Sequence, residues 1–139
     1  MLYLHYEETD PLPLEEEVLT KWIENCCSNE GFDLSELNII CCSDDYLIEI
    51  NKSYLQHDYY TDIITFDLSE EEGLIEGELY ISIDRIRDNA EQISVPFDRE
   101  LHRVIIHGVL HLLGYKDKSD EDQKIMRSKE DAYLSLLFN

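Results

Sequence analysis

The residues best placed to do chemistry are His107 and His111, four apart in the run His107-Gly108-Val109-Leu110-His111-Leu112-Leu113-Gly114-Tyr115-Lys116-Asp117. Side chains four apart on a helix stack on one face, so the two imidazoles can converge on one ion. Val104, Ile105, Val109, Leu112 and Leu113 supply the apolar packing that fixes the helix. Gly114 stands where a helix takes a left-handed C-terminal residue, letting the chain reverse so that Asp117 returns to the same ion. Two nitrogens and one carboxylate oxygen suit a divalent metal, zinc above all, with a fourth position left for water, as in catalytic sites. Water so bound becomes acidic enough to attack near neutral pH.

Plainer readings exist for each residue. Two histidines four apart also occur as hydrogen-bonded core residues of an apolar helix, and Asp117, between Lys116 and Lys118, otherwise reads as a solvated loop residue. In the zinc peptidase helix the residue after the first histidine is a glutamate that acts as general base; here it is Gly108, which disfavours that route to peptide hydrolysis.

The elements that must position these residues follow from periodicity. Leu2, Leu4 and Tyr6 alternate with polar neighbours as in a half-buried strand, closed by Pro11 and Pro13. Residues 14–28 place Leu14, Val18, Leu19, Trp22, Ile23 and Cys26 on one helical stripe. Residues 37–42 read as a buried strand, and Tyr46, Leu47, Ile50 and Tyr54 mark a helix capped near Ser43 and running to Leu55. Residues 62–68 and 77–82 read as a hairpin joined by an acidic connection. Three helices follow, at 83–93, at 97–113, and from Asp120 to Leu137 behind Ser119. This order predicts an α+β domain spanning residues 1–139, with a small mixed four-stranded sheet covered by about five helices.

Composition bounds the function. An apolar fraction of 43% with nine Tyr, four Phe and one Trp is that of a globular chain despite a net charge of −21. Residues 1–82 hold 21 acidic and two basic residues, whereas residues 83–139 hold 11 acidic and nine basic. Strong non-specific nucleic-acid binding is therefore disfavoured, and RNA would dock only where Arg85, Arg87, Arg99, Arg103, Lys116 and Lys118 gather. Without a signal-like N-terminus or a long apolar run, the expectation is a cytoplasmic protein that does not enter the membrane. Cys26-Cys27 and Cys41-Cys42 match neither a metal knuckle nor a disulfide framework, which predicts free, buried thiols.

The segment from His107 to Tyr115 resembles the His-Gly-x-Leu-His-Leu-x-Gly-Tyr-Asp-His signature of the YbeY family of bacterial rRNA maturation factors. Asn51-Lys52-Ser53-Tyr54 with Asp58, Thr61-Asp62-Ile63-Ile64-Thr65-Phe66, and Gly77-Glu78-Leu79-Tyr80-Ile81 are similar to further segments of that family. The resemblance spans nearly the whole chain. It implies a zincin-like fold, one divalent metal ion, and single-strand-specific endoribonuclease activity in small-subunit rRNA 3′-end maturation and ribosome quality control. It implies single-stranded rRNA and the small ribosomal subunit as partners, with no small-molecule cofactor.

Two departures from that pattern stand out. The family's third metal-binding histidine falls on Asp117, a change that coordination chemistry tolerates but that alters affinity and the acidity of bound water. The family's arginine after the tyrosine, a phosphate contact, falls on Leu55. His57, Arg103 or Lys116 are candidates to replace its charge, and Thr61, Thr65 and Glu78 are candidates to line the cleft. Two other readings are a non-catalytic ribosome-assembly factor with a structural metal, whose acidic face binds a basic ribosomal protein, and a peptidase or other hydrolase with Glu78 or another carboxylate as base.

Overall fold

The computed structural model describes residues 1–56 and 60–138. Its elements are β1 (Leu2–Glu7), α1 (Glu16–Asn29), β2 (Asp33–Cys42), α2 (Asp44–Leu55), β3 (Ile63–Asp67), β4 (Leu74–Ser82), α3 (Ile83–Gln92), α4 (Phe97–Leu112) and α5 (Asp120–Leu134). The four strands form one sheet in the order β1-β2-β4-β3. β1, β2 and β4 run parallel, and β3 closes a hairpin antiparallel to β4. The expected α+β arrangement of a mixed four-stranded sheet and five helices is the one found.

Period-two alternation assigns the two faces of the sheet. Leu37, Ile39, Cys41, Leu79 and Ile81 point into the main core, where they meet Leu19, Trp22 and Ile23 of α1 and Leu101, Val104, Ile105 and Val109 of α4. Ile40, Cys42 and Ile64 point the other way and pack under Leu47 of α2. Each fully buried aliphatic side chain of this kind contributes about 1.5–3 kcal/mol, so the many that α4 buries make it the best anchored helix of the fold. Ser43, Ser82 and Ser119 cap α2, α3 and α5, each accepting from a backbone N–H three residues on.

Several boundaries and faces differ from the sequence reading. β2 begins at Asp33 and β4 at Leu74, earlier than 37 and 77, because the two extensions pair with each other across an irregularity between Leu34 and Glu36. Their polar, alternating composition carries no apolar run; the partner strand supplies the order. Val18 is exposed, since the buried stripe of α1 is Leu19, Trp22, Ile23, Cys26 and Cys27. Tyr54 is also exposed, its ring meeting that of Phe66 edge to face, while Leu47 and Asn51 take the buried positions on α2. α5 stops at Leu134, three residues short of the expected end. All four cysteines are free and buried, as expected.

Candidate metal centre

α4 lies across the sheet with Gly108 at the point of closest approach. A Cβ at position 108 would stand 2.7 Å from Ile63 Cδ1 and 2.8 Å from Leu79 Cδ2, so glycine is what lets the helix sit this low. Position 108 therefore faces the sheet, which accounts physically for the missing glutamate there. With Gly108 turned inward, His107 and His111 sit half-buried at the outer edge of the same helix.

α4 ends in a left-handed reversal at Gly114, whose φ is +104°. The Gly114 N–H donates to the His111 carbonyl and the Tyr115 N–H to the Leu110 carbonyl, which closes the helix end. The returning loop is held at both ends. The Tyr115 hydroxyl donates to Glu30 at 2.5 Å, and Gln123 Nε2 donates to the Asp117 carbonyl at 3.1 Å. Asp117 is thereby carried back over the two histidines.

His107 Nε2 and His111 Nε2 lie 3.0 Å apart, and Asp117 Oδ2 lies 3.3 Å from the first and 3.4 Å from the second. Among the described residues these three form the one group of histidine, cysteine or carboxylate side chains whose donor atoms all fall within 4.8 Å of one another. The opposite ring nitrogens settle the tautomers. His107 Nδ1 is 2.6 Å from Glu130 Oε2 and His111 Nδ1 is 3.0 Å from the Tyr115 carbonyl, and a carboxylate and a carbonyl only accept. Each Nδ1 therefore donates, and Nε2 is the nitrogen that each ring turns toward Asp117.

Two imidazole nitrogens and a carboxylate oxygen converging in this way could hold one divalent ion. Tetrahedral bonds of about 2.0–2.2 Å, usual for zinc with nitrogen and oxygen ligands, place neighbouring ligand atoms about 3.3–3.5 Å apart. The two Nε2–Oδ2 spacings of 3.3 and 3.4 Å fall in that range, and the 3.0 Å between the two Nε2 atoms is a few tenths of an ångström short of it; two imidazoles and one carboxylate are a donor set that could hold a divalent ion and leave a position open.

Glu130 is the residue that sequence reasoning missed. It is buried on α5, and its other oxygen accepts from Arg103 Nη1 at 3.3 Å. Burial pushes its carboxyl up, but the hydrogen bond from His107 and the charge of Arg103 outweigh it, and the net shift is downward. Its signal was a carboxylate on the apolar stripe of α5 with Met126, Tyr133 and Leu134. Arg103 is fully engaged: Nε and Nη2 each donate at 2.8 Å to the buried Glu100, besides the bond to Glu130. It holds the carboxylate that holds His107, and so does not stand free for phosphate.

The other expected residues divide. Thr61, Thr65 and Leu55 line an open groove of about 610 Å³ with His107 and His111, so they do flank the centre. Glu78 does not: it opposes Phe66 across β4 and β3, on the sheet face with His5, Asn38 and Tyr80, away from α4. The cause is register, because Gly77, Leu79 and Ile81 take the α4 side. Lys116 is exposed and lines neither groove beside the centre. His57 and Asp58 lie outside the described residues.

A model of the family described as Endoribonuclease YbeY matches residues 5–137 of the chain. The protein named Endoribonuclease YbeY from Cytophaga hutchinsonii is 47% identical over 135 residues, covering 97% of this chain and 94% of that one. Its namesake from Flavobacterium psychrophilum is 52% identical over 122 residues, covering 88% of this chain and 86% of that one. The solution structure of TM1509 from Thermotoga maritima superposes with a TM-score of 0.68 at 31% identity, over 95% of this chain and 87% of that one.

Proposed function

This chain belongs to the family described as Endoribonuclease YbeY, and from that premise we propose that it is a metal-dependent endoribonuclease acting on single-stranded RNA at His107, His111 and Asp117. One observation carries the reading: Glu130 and the Tyr115 carbonyl accept from the two histidine Nδ1 atoms, and the two Nε2 atoms and a carboxylate oxygen of Asp117 converge at 3.0, 3.3 and 3.4 Å. A divalent ion there, zinc by its donor set, supplies Lewis-acid chemistry, neutralising charge on a phosphodiester oxygen and acidifying water.

The chain's own part is positioning. α4 fixes the two imidazoles, the Gly114 reversal brings Asp117, and Glu130 with Arg103 keeps His107 in one tautomer and one orientation. Thr61 and Thr65 offer hydroxyls along the adjoining groove for RNA oxygens. The substrate we propose is single-stranded rRNA of the small ribosomal subunit, with action at its 3′ end, in the cytoplasm. Asp117 brings a carboxylate where an all-histidine set would bring a third imidazole, so an ion held there would be a weaker Lewis acid.

The acidic surface of residues 1–82 favours a second reading, an assembly factor whose acidic face holds a basic ribosomal protein and which does not cleave. One comparison separates the two. Metal-loaded protein and the His111→Ala variant are incubated with single-stranded RNA, duplex RNA and a peptide panel. Cleavage of single-stranded RNA alone, lost in the variant, is the expected result; an intact RNA pool from protein that holds its metal stoichiometrically favours the assembly role.

A further inference from the structure

Two grooves flank the centre and share His107 and Asp117 as their common ridge. They differ in charge. The groove toward the sheet has Asp62, Asp67 and Asp117 on its wall and no lysine or arginine among the described residues. The groove toward α5, an open space of about 810 Å³, has Arg103, Lys124 and Arg127 on its wall together with Asp117, Asp120, Glu130 and Asp131. Arg103 is spent on Glu100 and Glu130. That leaves Lys124 and Arg127, three residues apart and so neighbours on one face of α5. Lys124 is exposed. The Arg127 side chain is 62% exposed, and the ion pair given for it is a loose approach of 3.6 Å to a Glu130 oxygen that Arg103 already engages.

We propose that Lys124 and Arg127 form the subsite that holds the sugar-phosphate backbone of the RNA strand next to the scissile phosphate, so that the strand crosses the centre from the α5 groove. The inference rests on the endoribonuclease reading and adds a direction to it. A polyanion approaching a chain of net charge −21 is repelled almost everywhere. Beside the centre, the α5 groove is where two exposed cations, Lys124 and Arg127, would meet the backbone of a strand whose phosphate lies at His107 and Asp117. Asp120 and Asp131 on the same wall keep the groove from acting as a general polyanion trap, so binding depends on discrete contacts to these two side chains.

The test measures binding of a fluorescein-labelled single-stranded RNA with a cleavage-resistant phosphorothioate backbone, by anisotropy across a potassium chloride series. Wild type, the Lys124→Gln/Arg127→Gln double variant and Arg127→Lys are compared, with steady-state cleavage of the ordinary RNA alongside. Each lost phosphate contact to a single strand lowers the slope of log affinity against log salt by about 0.7, so the double variant should lose about 1.4 from the slope. It should bind about tenfold more weakly at low salt and raise KM more than it lowers kcat, while Arg127→Lys keeps the wild-type slope. An unchanged slope and KM in the double variant overturns the subsite while leaving the nuclease reading intact. A wild-type protein that neither binds nor cuts the RNA removes the nuclease reading and this one together.

Discussion

Glu130 Oε2 accepts the Nδ1 proton of His107 at 2.6 Å, on the side of the imidazole opposite Asp117. A buried carboxylate on the last helix thus sets which nitrogen the first ligand presents to the centre. Such partners beyond the ligands tune metal affinity by about 10–100-fold. Glu130→Gln should therefore weaken metal binding within that range while the fold persists. Glu130→Ala also removes the weaker of the two carboxylate partners of Arg103, which keeps Glu100, and the hydrogen bonds lost to Arg103 and His107 should cost about 1–3 kcal/mol. Metal titration and chemical denaturation of both variants check the two effects separately.

Position 108 offers a packing test independent of the chemistry. A methyl group there meets the tips of Ile63 and Leu79 at 2.7 and 2.8 Å, side chains that can shift but sit in a filled core. Gly108→Ala should cost about 1–3 kcal/mol, as overpacked cores do. A larger glutamate should prevent the helix from seating. Thermal unfolding measures both, and a neutral Gly108→Ala would show that α4 does not approach the sheet this closely.

The centre was legible in the sequence where its parts are local. A helix period fixed His107 and His111 on one face, and a glycine past the last apolar residue announced the reversal that brings Asp117. What was not legible depends on partners far along the chain. Glu130 is 23 residues from His107, and a charge on a helix reads as solvent-facing until the helix is docked. Glu78 is a candidate for the cleft or an ordinary strand residue by sequence, and the alternation of Gly77, Leu79 and Ile81 sends it to the other face. The early starts of β2 and β4 are likewise set by their pairing and not by their own residues.

Glu30 gives an acid-stability test. Burial pushes its carboxyl up, but hydrogen bonds from Tyr115, Tyr133 and Lys129 outweigh it and hold the carboxyl below its ordinary value. A group with a depressed native pKa stabilises the fold above its unfolded pKa, near 4.3, and loses that contribution as pH falls through the native value. The wild-type melting temperature should therefore drop on acidification below about pH 4–5. Glu30→Gln should be less stable than wild type at pH 7, by about 1–3 kcal/mol for the lost hydrogen bonds, and should show a shallower fall in acid. Melting curves at pH 3 to 7 decide it.

The cysteines should be silent in the native protein. Burial, the largest effect on each, pushes the thiols of Cys26, Cys41 and Cys42 up to about 12 and that of Cys27 up to about 11. The thiolate is the reactive form, so iodoacetamide at pH 8 should label none of the four in the folded state and all four in denaturant. Mass spectrometry counts the adducts, and rapid native labelling would contradict the burial of β2 and α1 against each other.

The most direct measurement is elemental analysis of protein purified without an affinity tag and dialysed against trace zinc. The account expects one zinc per chain in wild type, and none retained in the His107→Ala/His111→Ala double variant, whose circular dichroism should remain that of the folded chain. A wild-type protein that emerges metal-free, or a folded double variant that keeps a full equivalent, would contradict the claim that His107, His111 and Asp117 form the metal centre.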